Sequence, residues 1–127
     1  MKLRLFENSL RLRLTPAEVA QLIEHGLVSG ETQFSAASRL RYCLRASASA
    51  TSIVASFDSI SITVDIPAAA ASAWARGQEV GLSAIQPAAG GVMLRILIEK
   101  DFDCIDAAKS EPGIEFYPNP RSPKVST

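Results

Sequence analysis

One order of turn, strand and helix signals occurs twice in this sequence, and this repetition constrains the fold more than any other feature. Residues 8–26 begin with Asn-Ser, continue as a strand of alternating apolar and polar residues, and reach Thr-Pro before a short amphipathic helix that ends at glycine. Residues 58–77 begin with Asp-Ser and repeat this order up to Ile-Pro and a helix that ends at glycine. One inserted residue reconciles the two stretches. We therefore predict a duplicated structural unit.

The repeated unit is predicted to be β-β-α-β-β. One copy covers residues 2–45 and the other covers residues 52–100, with a linker of small residues between them. The two copies together are predicted to form a single domain over residues 1–106. Residues 107–127 are rich in proline, and we expect them to form a C-terminal tail that packs on the domain or is partly disordered.

The predicted elements give an α+β fold with about eight mostly antiparallel strands and two helices. Val19, Leu22 and Ile23 form the apolar stripe of the first helix, and Trp74 is predicted to be a buried core residue of the second. Two short helices cannot cover the apolar face of eight strands. We therefore expect the sheet to curl into a barrel-like form, to pack on itself, or to bury its remaining apolar area in a dimer.

The overall charge of the chain is balanced, with 13 Lys+Arg against 13 Asp+Glu. Net charge therefore gives no support for a nucleic-acid or membrane partner, and neither partner is predicted. Charged residues interrupt the N-terminal stretch, so no signal peptide is expected, and no apolar run reaches the ~20 residues of a membrane span. We expect a cytoplasmic protein that is a monomer or a homodimer.

The polar face of the predicted strands is rich in arginine. By strand alternation, the side chains opposite the apolar positions include those of Arg4, Arg11, Arg13, Arg39, Arg41, Arg95 and Glu99. If the sheet closes, the guanidinium groups converge in a channel and form a site for phosphate or carboxylate, which arginine holds in bidentate fashion. If the sheet stays open, they form a solvated face with some ion pairs. A tight first hairpin also places Arg4 beside Arg11 or Arg13, and such like-charged pairs need a carboxylate, a bound anion or solvent to offset their repulsion.

The other reactive residues favour structural roles. Residues 99–104 read Glu-Lys-Asp-Phe-Asp-Cys and could bind a divalent ion, but their spacing matches no known metal-binding loop, so a strand end is preferred and no metal or cofactor is predicted. Cys43 and Cys104 are interpreted as buried, reduced thiols. His25, the only histidine, suits the last turn of the first helix. No Walker, G-x-S-x-G or H-E-x-x-H motif is present, so no catalytic residue is assigned.

Four segments resemble a family of small uncharacterised bacterial proteins, and together they span nearly the whole chain. They are K-L-R-L-F-E-N-S-L-R-L-R-L-T, the helix opening P-A-E-V, the late strand L-R-I-L-I-E-K-D-F-D-C, and F-Y-P-N-P. The resemblance implies no activity.

The duplicated topology is also similar, at the level of the fold, to the CYTH-like triphosphate tunnel proteins. That resemblance implies eight strands closed around a charged tunnel. The Glu-x-Glu-x-Lys strand typical of those enzymes has no counterpart, because residues 2–7 read Lys-Leu-Arg-Leu-Phe-Glu in the first strand.

Three functions remain open at this point. The preferred hypothesis is a non-enzymatic binding module whose arginine-rich face takes a small anionic ligand or an acidic partner. The first alternative is a tunnel-type phosphohydrolase with altered metal ligands. The second is an interaction protein that dimerises through its sheet.

Overall fold

The computed structural model describes residues 1–101, which form eight strands and two helices. In chain order these are β1 Lys2–Phe6, β2 Ser9–Leu14, α1 Pro16–His25, β3 Leu27–Ser35, β4 Ser38–Ser47, β5 Val54–Asp58, β6 Ser61–Pro67, α2 Ala68–Arg76, β7 Gly81–Ala89 and β8 Val92–Lys100. The α+β class and the doubled β-β-α-β-β order are confirmed. The predicted tail at 107–127 and the end of the predicted domain at 102–106 lie outside the described residues.

The strands form two separate four-stranded sheets and not one barrel-like sheet. Sheet A has the order β1-β2-β8-β7, and sheet B has the order β3-β4-β6-β5. The expected closure therefore does not occur. The reason lies in the helices: α1 leads the chain from β2 in sheet A to β3 in sheet B, and α2 leads it back from β6 to β7. The two hairpins of one copy are thus placed in different sheets.

Each sheet is completed by a hairpin from the other copy. The four hairpins are antiparallel, but the central pairs β2–β8 and β4–β6 are parallel. Parallel strands need a crossover connection. Between β2 and β8 this connection runs through both helices and sheet B, and between β4 and β6 it consists of residues 48–53 and β5. The two copies are therefore interleaved, and neither sheet belongs to a single copy.

A single core lies between the two sheets and the helices. Strand alternation buries one face of each central strand, because every second side chain is apolar. The buried residues of sheet A include Leu10, Leu12, Leu14, Ile96 and Ile98, and those of sheet B include Val28, Leu44, Ile62, Val64 and Ile66. Val19, Leu22, Ala71 and Trp74 add the buried faces of both helices. We call the face of each sheet that points away from this core its outer face.

The helices and the hairpin turns lie at opposite ends of the molecule. Both helices begin where a central parallel strand ends, α1 after β2 and α2 after β6, and they pack against each other. We call this end the helix end. All four hairpin turns, at residues 7–8, 36–37, 59–60 and 90–91, lie at the other end, which we call the turn end. In the last of these turns, Gly90 and Gly91 have φ of 53° and 84°, which suits a tight two-residue turn.

A capping box starts α1. The Thr15 side chain accepts a hydrogen bond from the Glu18 backbone N–H, and the Glu18 carboxylate accepts one from the Thr15 backbone N–H at 2.9 Å. The same carboxylate forms an ion pair with the Met1 amino group. Partial burial raises the pKa of Glu18, but hydrogen bonds from Met1 and Thr15 and the charge of the amino group lower it, so that the pKa lies below its usual value of 4.5. The helix ends at Gly26, whose φ of 77° is left-handed.

Trp74 anchors α2 in the core. Its side chain is fully buried, as predicted, and its indole N–H donates to the Val80 carbonyl at 3.1 Å. The Lys100 ammonium lies 5.7 Å from the ring centroid, within the range of a cation–π contact. The N-cap of α2 is Pro67, which has no side-chain hydrogen bond to the helix. Packing of Trp74 therefore stabilises α2 more than its termini do.

Replacing this anchor should destabilise the whole fold. We predict that Trp74→Ala lowers the free energy of unfolding by about 3–5 kcal/mol, because the substitution leaves a large cavity in the core. Urea unfolding followed by circular dichroism measures the change. The control Ala69→Ser, at an exposed position of the same helix, should change stability by less than about 0.5 kcal/mol. A loss for Trp74→Ala as small as that of the control would contradict the anchoring role.

The lowered pKa of Glu18 predicts an acid-sensitive contribution to stability. Because the pKa of the folded state lies below that of the unfolded state, the contribution is present above the unfolded pKa and is lost as pH falls through the folded pKa. Glu18→Gln should therefore be less stable than wild type near neutral pH, and the difference should shrink between about pH 6 and pH 3. Thermal unfolding across this range, with the exposed Glu79→Gln as control, measures the difference. A difference that is constant with pH would show that Glu18 contributes only through its shape.

Candidate functional site: a basic sheet face

The structure divides the predicted arginine-rich face between the two sheets. The outer face of sheet A carries Arg4, Arg11, Arg13, Arg95 and Glu99, and the outer face of sheet B carries Arg39 and Arg41. These side chains alternate with the buried core positions, so they face away from the core and do not converge in a channel. Sheet A alone therefore brings most of the predicted site residues together.

Like charges lie directly opposite each other in the first hairpin of sheet A. The register of β1 and β2 pairs Arg4 with Arg11 and Lys2 with Arg13. Cross-strand neighbours of the same charge destabilise a sheet, by a few tenths of a kcal/mol up to about 1 kcal/mol for each pair. Lys2 shares the alternation of Arg4 and belongs to this face, although the sequence reasoning left it out of the site. Two adjacent repulsive pairs therefore lie in one hairpin.

Carboxylates offset only part of this charge, and they lie toward the helix end. The Glu99 carboxylate is shared, at 3.5 Å from Arg11 Nε and 3.4 Å from Arg13 Nε. Asp101 lies 3.4 Å from Lys2 Nζ. Within residues 1–101, neither Arg4 nor Arg95 forms an ion pair. The cationic charge on this face is thus least compensated toward the turn end.

A shallow pocket lies beside the uncompensated Arg4. Its volume is about 470 Å³, and its lining residues are Arg4, Leu5, Phe6, Ser9 and Arg11. The Ser9 hydroxyl donates to the Phe6 carbonyl at 2.7 Å, so the guanidinium groups are the side-chain donors left to face the pocket. Arg95 is the register partner of Ser9 on β8, next to this pocket. The arrangement can hold an anion between guanidinium groups of two or three strands.

The outer face of sheet B is balanced. Glu31 lies 3.7 Å from Arg39 and 3.6 Å from Arg41. Arg45 donates two hydrogen bonds to Asp65, at 2.6 and 3.1 Å, and these bonds and the charge of Asp65 raise the pKa of Arg45. Each arginine of this face thus has a carboxylate within reach. Because their charge is partly neutralised, Arg39 and Arg41 should attract an external anion less strongly than the arginines of sheet A.

The remaining reactive residues lie away from the outer face of sheet A. Cys43 is a free, half-buried thiol on the outer face of sheet B, 3.6 Å from the Thr63 hydroxyl. His25 is exposed in the last turn of α1, 3.7 Å from the Glu24 carboxylate. Among residues 1–101 there is no cluster of three or more His, Cys, Asp or Glu side chains that could hold a metal ion. The last three residues of the 99–104 stretch, among them Cys104, lie outside the described residues.

The family described as "Family of unknown function (DUF7009)" matches residues 1–121. The chain belongs to this family. No curated protein and no solved structure matches it. DUF7009 membership agrees with the resemblance to an uncharacterised family. The resemblance to the CYTH-like tunnel proteins does not extend to closure, since two separate sheets do not enclose a tunnel. None of the helices within residues 1–101 of this DUF7009 protein has the length and apolar character needed to cross a membrane.

The like-charged hairpin predicts an unusual response to mutation. Arg4→Gln should raise stability slightly at low ionic strength, by a few tenths of a kcal/mol, because it removes the repulsion from Arg11. The gain should fade in about 1 M salt, where the screening length is only about 3 Å. Arg45→Gln, which breaks the pair with Asp65 on the other sheet, should instead lower stability. Melting temperatures at both salt concentrations test this. A loss of stability for Arg4→Gln at low salt would show that Arg4 is not repelled in the fold.

Proposed function

We propose that this DUF7009 protein is a non-enzymatic binding module that holds an anionic group on the outer face of sheet A. The ligand is a small phosphorylated or carboxylated molecule, and its binding residues are Arg4, Arg11, Arg13 and Arg95. One observation carries the proposal. Within residues 1–101, five cationic side chains, those four and Lys2, share a face with only two carboxylates in ion-pair range, and two like-charged pairs lie directly opposite each other.

Electrostatics explains why such a face favours an anion. Two like charges about 4–6 Å apart repel by a few kcal/mol at an effective dielectric of about 20, and by far less in open water. Arg11 and Arg13 are only about one third exposed, so their repulsion is not fully screened. An anion placed between Arg4 and Arg11 would replace repulsion with attraction, and its oxygens match the geometry of the guanidinium donors.

The exposure of the face limits how tightly one phosphate can bind. A single exposed ion pair contributes about 0–1 kcal/mol, so useful affinity requires several arginines to contact the same ligand. The arginines extend across β1, β2 and β8, which suits a ligand with more than one anionic group. Pyrophosphate should therefore bind better than orthophosphate.

The chemistry of the face supports binding without catalysis. Glu99 is the carboxylate that contacts the arginines of this face, and it is engaged by both Arg11 and Arg13. Neither His25 nor Cys43 lies on this face. A cytoplasmic location, expected from the sequence, agrees with the free Cys43 thiol, because thiols persist in reducing compartments.

Anion-dependent stabilisation tests the proposal. A ligand that binds only the folded state raises the melting temperature. The melting temperature in pyrophosphate should therefore be higher than the melting temperature in sodium chloride at the same ionic strength. Arg4→Gln and Arg95→Gln should each reduce this gain while remaining folded. The control Arg39→Gln, on sheet B, should keep it. Equal melting temperatures in pyrophosphate and chloride for the wild type would leave only a solvated basic face.

A further inference from the structure

The turn end of the molecule exposes an unusual number of large apolar side chains. Phe6, Phe34 and Phe57 are each about two-thirds exposed, at 67%, 69% and 67%, and each lies within two residues of a hairpin turn. The other exposed apolar residues at this end are Leu5, Ile60, Ile85, Val92 and Met93. All four hairpins contribute, so the exposure is a property of the whole end and not of one loop.

Contacts and clefts at the turn end link neighbouring hairpins within each sheet and across the two sheets. In sheet A, the Asn8 side chain donates to the Met93 carbonyl at 3.2 Å, which joins the first and last turns. In sheet B, the 36–37 turn and Ile60 line a common depression. Between the sheets, a mostly apolar cleft of about 390 Å³ is lined by residues of both, including Leu5, Phe57 and Leu94. The two sheets therefore present a joint apolar surface at the turn end.

Uncompensated arginines lie just behind this surface. Arg4 is two residues from Phe6, and Arg95 is two residues from Met93. With a rise of about 3.3 Å per strand residue, the Cα atom of each arginine lies about 7 Å along the strand from the Cα atom of its apolar neighbour. Among the residues that the structure describes, cations outnumber carboxylates near this end: the charged residues here are Arg4, Arg11, Arg39, Arg41, Arg95, Glu7, Glu31 and Asp58.

We propose that the turn end docks on an anionic lipid surface, with its phenylalanine tips in the acyl boundary and Arg4 and Arg95 on lipid phosphates. Interfacial amphipathic helices bury their apolar face about 5–10 Å into that boundary, a depth similar to the ~7 Å spacing along the strands between the apolar tip residues and the arginines. This inference rests on the proposed function, and it assigns the anion to a lipid headgroup. It also departs from the expectation of no membrane partner, which used net charge and not the distribution of charge.

The charge of the turn end favours a lipid surface over a second copy of the chain. In an end-to-end dimer, the excess arginines of the two copies would face each other across the rim of an apolar interface, and like charges brought together there cost free energy. An anionic bilayer supplies the opposite charge at the depth where the arginines lie. Attraction of such residues to anionic lipid contributes about 1 kcal/mol for each basic side chain near the surface.

Vesicle co-sedimentation tests the inference directly. Wild type should sediment with vesicles of phosphatidylcholine and phosphatidylglycerol and much less with phosphatidylcholine alone. Phe34→Ser/Phe57→Ser should reduce the partition coefficient by about tenfold or more, since two rings then no longer transfer from water. Both positions lie in sheet B, away from Arg4. The matched control Leu27→Ser/Val80→Ser removes two exposed apolar residues at the helix end and should bind like wild type. Arg4→Gln should weaken binding to the anionic vesicles only.

The outcomes separate this inference from the proposed function. If wild type does not bind anionic vesicles, or if the Phe34/Phe57 variant binds as well as wild type, docking through the turn end is wrong. The proposed function still stands in that case when pyrophosphate raises the melting temperature in an Arg4-dependent way. If neither lipid nor pyrophosphate has an effect, both fail. A dimer in sedimentation equilibrium that dissociates in the Phe34/Phe57 variant would assign the turn end to a second copy and overturn the inference.

Discussion

The parallel hydrogen-bonded pairing of β2 with β8 and of β4 with β6 is the interaction on which the rest of the structure depends. An isolated hairpin is marginally stable at best in water, and each sheet here gains its other hairpin only through one of these pairs. The helices make the exchange possible. A helix of 10 residues is about 15 Å long, enough to lead the chain across the ~10 Å between packed sheets. Neither copy can therefore complete a sheet without the other.

The same pairing determines which arginines on the outer face of sheet A have a carboxylate nearby. Parallel register sets the carboxyl end of β8 beside the carboxyl end of β2, so Glu99 lies opposite Arg13 and close to Arg11. Arg95 lies at the other end of β8, opposite Ser9. Glu99 and Asp101, the carboxylates paired with this face, consequently lie toward the helix end, and the uncompensated arginines lie toward the turn end. An antiparallel pairing of β2 and β8 would reverse this relation and place the carboxylate of Glu99 near the start of β2.

Local patterns in the sequence predict the elements but not their partners. Alternation identifies the strands, and Thr15 and Gly26 mark the limits of α1. The short first turn predicts that Arg4 lies beside Arg11 or Arg13, and the register selects Arg11. Alternation also tells whether a side chain faces the core or points away from it. Alternation does not show which sheet a strand joins, because the sheet depends on the crossover connections. For this reason the pattern alone places Arg39 and Arg41 on the same face as the arginines of sheet A, although they lie in sheet B. The exposed apolar residues at the turn end do have a local signal, since Phe34 and Phe57 lie two residues before a turn.

The contrast between the two ends follows from the topology. Both helices follow the carboxyl ends of parallel central strands, so both cover the same end of the two-sheet core, and no element among residues 1–101 remains to cover the other. An uncovered end does not have to be apolar, since turns usually carry Gly, Asn, Asp and Ser, as they do at Asn8 and at Gly90 and Gly91. Here phenylalanine occupies one of the last two strand positions before three of the four turns. Topology explains why this end is uncovered. The apolar character of the end is a property of the sequence, and the packing of residues 1–101 does not require it. An exposed apolar surface of this kind is typical of a binding surface.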